Sequence, residues 1–259
     1  MSHRGLVVPR QVQVWGVLSF AVAVLAVAVW VFLNPPGATG ATPASPQAAR
    51  APAPTVEAAP APEPVEAPPG TRAVFVGDSW TAGFGINPEA GYAPLAAAAL
   101  GWDATYEAVS GTGYLNPGPG GEGTYADRVR ATEPDPTVQL VVLQGGLNDR
   151  PENLMGLGAA VRDTLDAIGV TYPNARTIIL GPAPSEVPAS NVLLTIDNTL
   201  AAVAQERGVH HISPLGEQWI TAENYADVID PGNANHPSVE GHAYLAGRTV
   251  AALEAIAVR

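Results

Sequence analysis

Five short runs of apolar, largely β-branched residues recur along residues 71–259, and longer segments with helical character lie between them. The predicted strands are Ala73–Val76, Thr105–Val109, Val138–Leu143, Thr177–Leu180 and Val209–Ile212. The predicted helices are Tyr92–Leu100, Leu154–Val170, Val192–Arg207 and Val239–Val258. Strands that alternate with helices and read as continuous apolar runs are typical of a parallel sheet with both faces covered. The sequence therefore predicts an α/β domain whose ligand crevice lies beyond the carboxyl ends of the strands.

Four polar or glycine-containing segments stand where that crevice is expected. Ser79 follows the first predicted strand in "VGDSW", Gly111 follows the second in "AVSGTG", and Asn148 follows the third in "GGLND". His236 lies before the last predicted helix in "NANHPSVEGH". Each segment alone is also typical of an ordinary turn or helix cap. Together they supply a hydroxyl nucleophile, an imidazole base and three oxyanion donors, namely the backbone N–H groups of Ser79 and Gly111 and the Asn148 amide.

In their order and local context these segments resemble the four blocks of the SGNH (GDSL-type) hydrolase family, which centre on Ser, Gly, Asn and His. The resemblance covers about residues 72–256. It implies a flavodoxin-like three-layer α/β/α sandwich with a parallel sheet of about five strands. It also implies esterase, lipase, deacetylase or acyltransferase activity without a cofactor. The Gly-x-Ser-x-Gly elbow of another ester-hydrolase scaffold occurs nowhere in the sequence.

One position departs from the family pattern, in which an aspartate three residues before the histidine orients the imidazole. Asn233 occupies that position here, and an amide cannot offset the charge of an imidazolium. Three interpretations are open from the sequence. In the first, Asp230 reaches His236 across the turn formed by Pro231 and Gly232. In the second, a Ser–His dyad works with Asn233 or a backbone carbonyl as the orienting group, and in the third the site binds a ligand without efficient catalysis.

Three further residues near the proposed site have less definite predictions. Trp80 and Tyr114 flank the site, and for each of them lining a substrate pocket and filling the core are equal alternatives. Asp149 directly follows Asn148 and is interpreted as the cap of the next helix.

Composition excludes several other classes of function. The chain has no cysteine, so disulfides, thiolate catalysis and cysteine-ligated metals are excluded. Asp230, His236 and His242 do not have a spacing typical of a metal site, and we predict neither a metal nor a cofactor. The formal net charge is −12 and no lysine occurs, which disfavours nucleic acid as a partner.

The N-terminal part of the chain has a different composition. Residues 14–33 carry no charge, and as a helix they would span roughly 30 Å, about the hydrocarbon thickness of a bilayer. Because Arg4 and Arg10 precede this span, we predict a short cytoplasmic N-terminus over residues 1–13 and a transmembrane signal anchor over residues 14–33. A cleaved signal peptide that releases a secreted domain is the alternative, although signal cores usually have only about 7–15 apolar residues.

Residues 34–70 contain eleven prolines and eleven alanines. Such a segment buries too little apolar surface to offset its ordering entropy, and it is predicted to be a disordered linker. The predicted organisation is therefore an anchor, a linker and one catalytic domain over residues 71–259.

These observations favour a membrane-tethered, extracytoplasmic serine esterase that hydrolyses O-acyl esters, with a short acyl chain, through an acyl-enzyme on Ser79. The expected substrate is a small-molecule, glycan or lipid ester near the cell envelope, because the linker would hold the domain there. An O-acyltransferase acting on envelope glycans is one alternative. A non-catalytic glycan-binding module on the same fold is another, and Asn233 is the feature that supports it.

Overall fold

The computed structural model describes residues 62–257, which contain one five-stranded sheet. Its strands are β1 Arg72–Gly77, β2 Asp103–Ala108, β3 Leu140–Gln144, β4 Arg176–Leu180 and β5 His210–Ile212. They lie in the order β2-β1-β3-β4-β5 and all neighbouring pairs are parallel. A small antiparallel pair, β6 Ile229–Asp230 and β7 His236–Pro237, lies outside this sheet. The predicted parallel sheet of five strands is confirmed.

Helices connect the strands and cover the sheet. They are α1 Ser79–Ala82, α2 Tyr92–Leu100, α3 Tyr125–Ala131, α4 Leu157–Thr171, α5 Asn191–Arg207, α6 Tyr225–Val228 and α7 Val239–Ile256. Four 3-10 turns accompany them, at Pro88–Ala90, Leu147–Asp149, Leu154–Gly156 and Pro231–Asn233. α2 packs against α7, whereas α4 packs against both α3 and α5. Right-handed crossovers in this strand order place these two groups of helices on opposite faces of the sheet.

The sequence explains where the main elements begin and end. Gly101 and Gly208 follow α2 and α5 with left-handed φ values of 69° and 64°, a conformation that glycine adopts without steric cost. Ser190 and Ser238 accept backbone N–H groups at the starts of α5 and α7. Helix α3 was not predicted, although Thr124 and Asp127 form the reciprocal bonds of a capping box at its start.

The segment before β1 is packed against the rest of the domain, and this corrects the predicted boundary at residue 71. Val65 is 4% exposed and its N–H donates to the Ile256 carbonyl at 3.0 Å. The indole N–H of Trp102 donates to the Ala67 carbonyl at 3.1 Å. The buried Val65 side chain and these two hydrogen bonds order a segment that its composition alone had assigned to the disordered linker.

The remaining N-terminal predictions lie outside the described residues. These are the cytoplasmic N-terminus, the anchor over residues 14–33 and the linker up to residue 61. Within residues 62–257, every helix is too short or too polar to cross a bilayer.

Candidate active site

Ser79 and His236 meet at the carboxyl end of the sheet. Ser79 opens α1 directly after β1, and His236 lies in β7 shortly before α7. The Ser79 Oγ atom and the His236 Nε2 atom are 2.7 Å apart, which is the distance of a strong hydrogen bond. The structure therefore brings together the nucleophile and the base proposed from the sequence.

The second ring nitrogen of His236 fixes the tautomer of the imidazole. His236 Nδ1 lies 3.0 Å from the backbone carbonyl oxygen of Asn233. A carbonyl can only accept a hydrogen bond, so Nδ1 carries the proton. Nε2 is then left with its lone pair facing the Ser79 hydroxyl, which is the form that a general base requires.

Neither side chain considered for orienting His236 does so in the structure. The Asp230 carboxylate accepts the Gly232 N–H at 2.7 Å and caps the 3-10 turn that follows. The Asn233 amide donates to the Phe84 carbonyl at 2.8 Å. The Asp230 carboxylate is therefore used within its own turn. The geometry is that of a Ser–His dyad oriented by a backbone carbonyl, which is one form of the second interpretation.

The loop between Asn233 and His236 has an unusual backbone. Ala234 and Asn235 both lie in the left-handed region, with φ values of 51° and 58°. This conformation costs roughly 1–2 kcal/mol for a residue with a Cβ atom, and asparagine tolerates it best. The two left-handed residues turn the chain so that the Asn233 carbonyl faces the ring that follows it.

Gly111 and Asn148 lie beside the nucleophile and complete the proposed oxyanion site. Gly111 has a φ of 81°, and a Cβ atom there would lie 2.8 Å from Pro119, so only glycine fits. Within residues 62–257, the backbone N–H groups of Ser79 and Gly111 donate to no other protein atom. The Asn148 amide donates one hydrogen to the Thr112 carbonyl at 2.9 Å and keeps a second hydrogen.

These groups line one pocket of about 180 Å³ together with His236. It is open to solvent and has a mixed polar and apolar wall, to which Trp80, Phe84, Ser110, Leu147, Arg150, Ser185, Ala234 and Asn235 contribute. An ester carbonyl placed against Ser79 Oγ would therefore meet the hydroxyl, the base and the free donors in the same space.

Asp149 acts on the loop after β2 and does not cap the next helix as predicted. Its carboxylate is fully buried and accepts the backbone N–H groups of Tyr114, Leu115 and Asn116 at 3.1, 2.7 and 3.2 Å. Burial raises the pKa of Asp149, whereas the three N–H groups oppose this shift. These three hydrogen bonds are called the Asp149 clamp below. Because Asp149 directly follows Asn148, the Asp149 clamp fixes the loop that contains Gly111 relative to the Asn148 amide.

Asp78 supports the other side of the nucleophile. It is fully buried, accepts the Trp80 N–H at 2.9 Å and accepts the Tyr125 hydroxyl at 3.4 Å. Burial raises the pKa of Asp78 to about 7. Its bond to Trp80 caps α1 and so fixes the turn that presents Ser79.

The aromatic residues near the site have different roles. Phe84, which the sequence reasoning missed, is 42% exposed and its ring centroid lies 4.5 Å from that of His236. Trp80 is 4% exposed and lines the pocket. Tyr114 is buried and packs edge-on against Tyr125 at 4.9 Å, so it fills the core. The only sequence signal for Phe84 was its position between two glycines after the Ser79 segment.

The other histidines among residues 62–257, namely His210, His211 and His242, make structural contacts. The His242 Nδ1 atom accepts the Tyr92 N–H at 3.2 Å, and burial, with a smaller effect of nearby His236, lowers the pKa of His242 to about 4. His210 and His211 contact the Glu63 carbonyl and the Asp197 carboxylate. Residues 62–257 contain no group of three His, Asp or Glu side chains placed to hold a metal ion.

Comparison with known proteins yields one sequence family. Residues 75–244, well over half of the chain, match the GDSL-like Lipase/Acylhydrolase family. No curated protein matches the chain significantly.

Solved structures with the same fold include several esterases. An aryl esterase from M. smegmatis is 15% identical with a TM-score of 0.57, over 72% of this chain and 100% of the esterase. A carbohydrate acetylesterase from Sinorhizobium meliloti is 18% identical with a TM-score of 0.55, over 71% of this chain and 99% of that protein. An active-site mutant of a family two carbohydrate esterase from Clostridium thermocellum is 18% identical with a TM-score of 0.56, over 73% and 64%. At such identities the likeness establishes the fold.

Proposed function

The chain belongs to the GDSL-like lipase/acylhydrolase family and is a serine ester hydrolase, and from this premise we propose that it removes short O-acyl groups through an acyl-enzyme on Ser79. The observation that carries the proposal is the 2.7 Å contact between Ser79 Oγ and His236 Nε2. The Asn233 carbonyl at 3.0 Å from Nδ1 supports it, because it holds the ring in the basic tautomer.

In the first half of the reaction, His236 Nε2 takes the hydroxyl proton while Ser79 Oγ attacks the ester carbonyl carbon. The carbonyl oxygen becomes negatively charged and receives hydrogen bonds from the N–H groups of Ser79 and Gly111 and from the Asn148 amide. As the carbon–alkoxide bond breaks, the imidazolium returns its proton to the leaving oxygen. The products are a free alcohol and an acyl group on Ser79.

In the second half, His236 removes a proton from a water molecule as that water attacks the acyl carbonyl. A second oxyanion forms in the same site, the bond to Ser79 Oγ breaks, and Nε2 returns the proton to the serine oxygen. The acid leaves and the dyad is restored without a cofactor.

The orienting carbonyl has a specific chemical consequence. Replacing the aspartate of a serine-protease triad by asparagine costs about 10⁴ in turnover because the wrong tautomer forms. A backbone carbonyl cannot donate a hydrogen bond, so it excludes that tautomer. It carries only a partial charge, however, so it stabilises the imidazolium less than a carboxylate would. We therefore expect a working esterase with moderate turnover.

The pocket supports a glycan or other polar O-acyl ester as the substrate class. Phe84 presents an exposed aromatic face beside His236, against which the apolar C–H groups of a sugar ring can pack. Ser110 and Asn235 offer hydrogen-bonding groups around the same opening. Carbohydrate esterases are among the structural relatives, which agrees with this proposal.

We further propose that the enzyme is held at the outer side of a membrane. The support is the uncharged span at residues 14–33 and the arginines before it. The expected result is that the full-length protein fractionates with membranes and that a variant lacking residues 1–33 does not. Equal recovery of both proteins in the soluble fraction would contradict tethering.

The central experiment measures hydrolysis of p-nitrophenyl acetate by the full-length protein. Ser79→Ala is expected to lower kcat/KM by about 10³-fold or more, since the residual rate of such variants comes from binding and the oxyanion site. Ser185→Ala is the matched control, because Ser185 lines the same pocket and lies outside the dyad. It should retain activity within a few-fold.

A fluorophosphonate probe gives a second readout. Labelling should occur in the wild type and in Ser185→Ala and should be absent in Ser79→Ala. Absence of both turnover and labelling in the wild type would overturn the esterase and leave the glycan-binding module. If methanol increases release of p-nitrophenol and methyl acetate forms, the acyl-enzyme also passes its acyl group to alcohols.

A further inference from the structure

A second cavity lies behind the active-site pocket. Within the described part of the chain, Trp80 alone lines both spaces. The wall of the second cavity is mostly apolar and includes Leu180, Ala183, Pro214, Trp219 and Leu245. A single side chain therefore separates the pocket of the nucleophile from an apolar interior space.

This cavity lies at the functional end of the sheet. Gln144 and Leu180, the last residues of β3 and β4, contribute to its wall, and Ser79 follows the end of β1. Its free volume is about 20 Å³, which is room for about one water molecule. The buried Thr249 hydroxyl lines it and has no hydrogen-bond partner among residues 62–257. As it stands, this cavity therefore has no room for an acyl chain, although one of its polar groups is left unpaired.

We propose that Trp80 determines the acyl-chain length that the enzyme accepts, by closing an apolar acyl-binding cavity behind Ser79. This inference rests on the proposed esterase function. With the indole in place, the acyl group of the ester meets a wall and only short chains fit. Without the indole, the active-site pocket continues into the apolar cavity, and longer chains gain contacts there.

The contacts of Trp80 make the proposal testable by truncation. The residue holds the turn at Ser79 through its backbone N–H, which donates to Asp78. This bond does not involve the indole, so removing the side chain leaves the cap of α1 in place. Each additional buried methylene group then favours the longer ester by roughly fourfold in kcat/KM.

The experiment compares p-nitrophenyl acetate, butyrate and octanoate with the full-length wild type and Trp80→Ala. The wild type is expected to prefer acetate. In Trp80→Ala the ratio of kcat/KM for octanoate to that for acetate should rise at least tenfold. An unchanged ratio in a folded Trp80→Ala protein, with folding checked by circular dichroism, would overturn the proposal.

A second variant tests whether the gain comes from this cavity. Ala183 lies in the cavity wall and outside the active-site pocket, so Ala183→Leu should fill the opened space. The double variant Trp80→Ala/Ala183→Leu should return the ratio towards the wild-type value. A double variant that keeps the full gain would show that the long chain binds elsewhere. If Trp80→Ala does not fold, Trp80→Phe is measured instead, with an increase for butyrate expected and an unchanged butyrate-to-acetate ratio contradicting the proposal.

Ligand binding separates this proposal from the esterase itself. In thermal denaturation, decanoate should raise the Tm of Ser79→Ala/Trp80→Ala and leave that of Ser79→Ala unchanged, and neither result needs turnover. A wild type without activity combined with this shift would refute the esterase and retain the cavity. If the wild type is active and decanoate does not raise the Tm of Ser79→Ala/Trp80→Ala, the acyl-binding cavity is refuted and the esterase is retained.

Discussion

The two sides of the active site are held in place by different means. On the oxyanion side, the buried carboxylate of Asp149 accepts three backbone N–H groups and fixes the Gly111 loop. On the base side, His236 is oriented by a single backbone carbonyl, in a loop that contains the left-handed residues Ala234 and Asn235. The comparable carboxylate on that side, Asp230, is exposed, and among residues 62–257 it accepts a hydrogen bond only from Gly232 in its own turn.

This difference separates the sources of rigidity in the site. A buried carboxyl group that accepts three N–H groups holds the donors that must meet a developing oxyanion, where small displacements are costly. Backbone geometry holds the base, where the essential requirement is the correct tautomer. The following changes test this division, beginning with the largest expected effect.

Asp78→Asn tests the buried carboxyl group beside the nucleophile through the pH dependence of stability. The pKa of Asp78 is raised from 3.8 to about 7, so between these values the folded protein binds a proton that the unfolded chain has lost. The Asp78 contribution to stability therefore falls as pH rises from about 4 to about 7. The neutral amide removes this loss, and its stability advantage over the wild type should grow by on the order of 4 kcal/mol across that range.

Urea denaturation of both proteins at pH 4.5, 6 and 8 measures this effect. Taking the difference between the variant and the wild type cancels the contribution of His242. The pKa of His242 is lowered to about 4, so its contribution has the opposite sign and rises with pH up to about 6.5. A difference that does not change with pH would show that Asp78 is ionised in the folded protein at pH 4.5.

Asp149→Asn tests the clamp on the oxyanion side. The amide can still accept two of the three N–H groups, but its NH₂ would face the third donor. One buried N–H left unpaired costs about 2 kcal/mol, and displacement of the Gly111 donor should lower kcat by about 10²-fold. Denaturation and kcat for p-nitrophenyl acetate check both expectations.

Asp230→Asn is the matched control for that variant, because it makes the same chemical change on the base side. Its exposed side chain accepts one N–H, so we expect less than about 1 kcal/mol in stability and nearly unchanged kcat. A large loss of kcat in Asp230→Asn would instead mean that this carboxylate reaches His236 during turnover.

Asn233→Ala tests whether the backbone carbonyl is sufficient to orient the base. The substitution removes the contact with Phe84 and leaves the carbonyl in place, so kcat/KM should fall less than tenfold. A loss approaching the roughly 10⁴-fold effect of a wrong tautomer would show that the side chain does the orienting.

Ala234→Gly should have small effects, and the effects on stability and on activity should have opposite signs. Glycine relieves the left-handed strain at φ 51°, which should stabilise the fold by about 1 kcal/mol or less after the greater entropy of the unfolded chain is counted. The more flexible loop should hold His236 less accurately and so lower kcat about twofold to fivefold. A lower Tm would show that the alanine side chain makes a stabilising contact.

The sequence was sufficient to predict most of the fold. The apolar runs mark all five strands of the sheet, and glycine stops at Gly101 and Gly208 mark two helix ends. Residues 62–70 were assigned to the linker because their proline and alanine content outweighed one valine, Val65, whose burial depends on Trp102 and α7 in the folded domain.

The sequence also placed Ser79 and His236 in one site, since both fall where the crevice of such a sheet lies. It did not identify the group that orients His236, because every residue has a backbone carbonyl and no residue type marks the one that is used. The role of Asp149 was missed for a related reason. Its partners are three consecutive backbone N–H groups on another loop, and only the tertiary structure brings them together.

The segment before β1, residues 62–71, joins the domain at the end remote from the active site. Helix α7 starts beside His236 and has 18 residues, so it is roughly 27 Å long, and Val65 bonds to the Ile256 carbonyl at its far end. The contact at Val65 therefore lies at the opposite end of the domain from the active-site pocket.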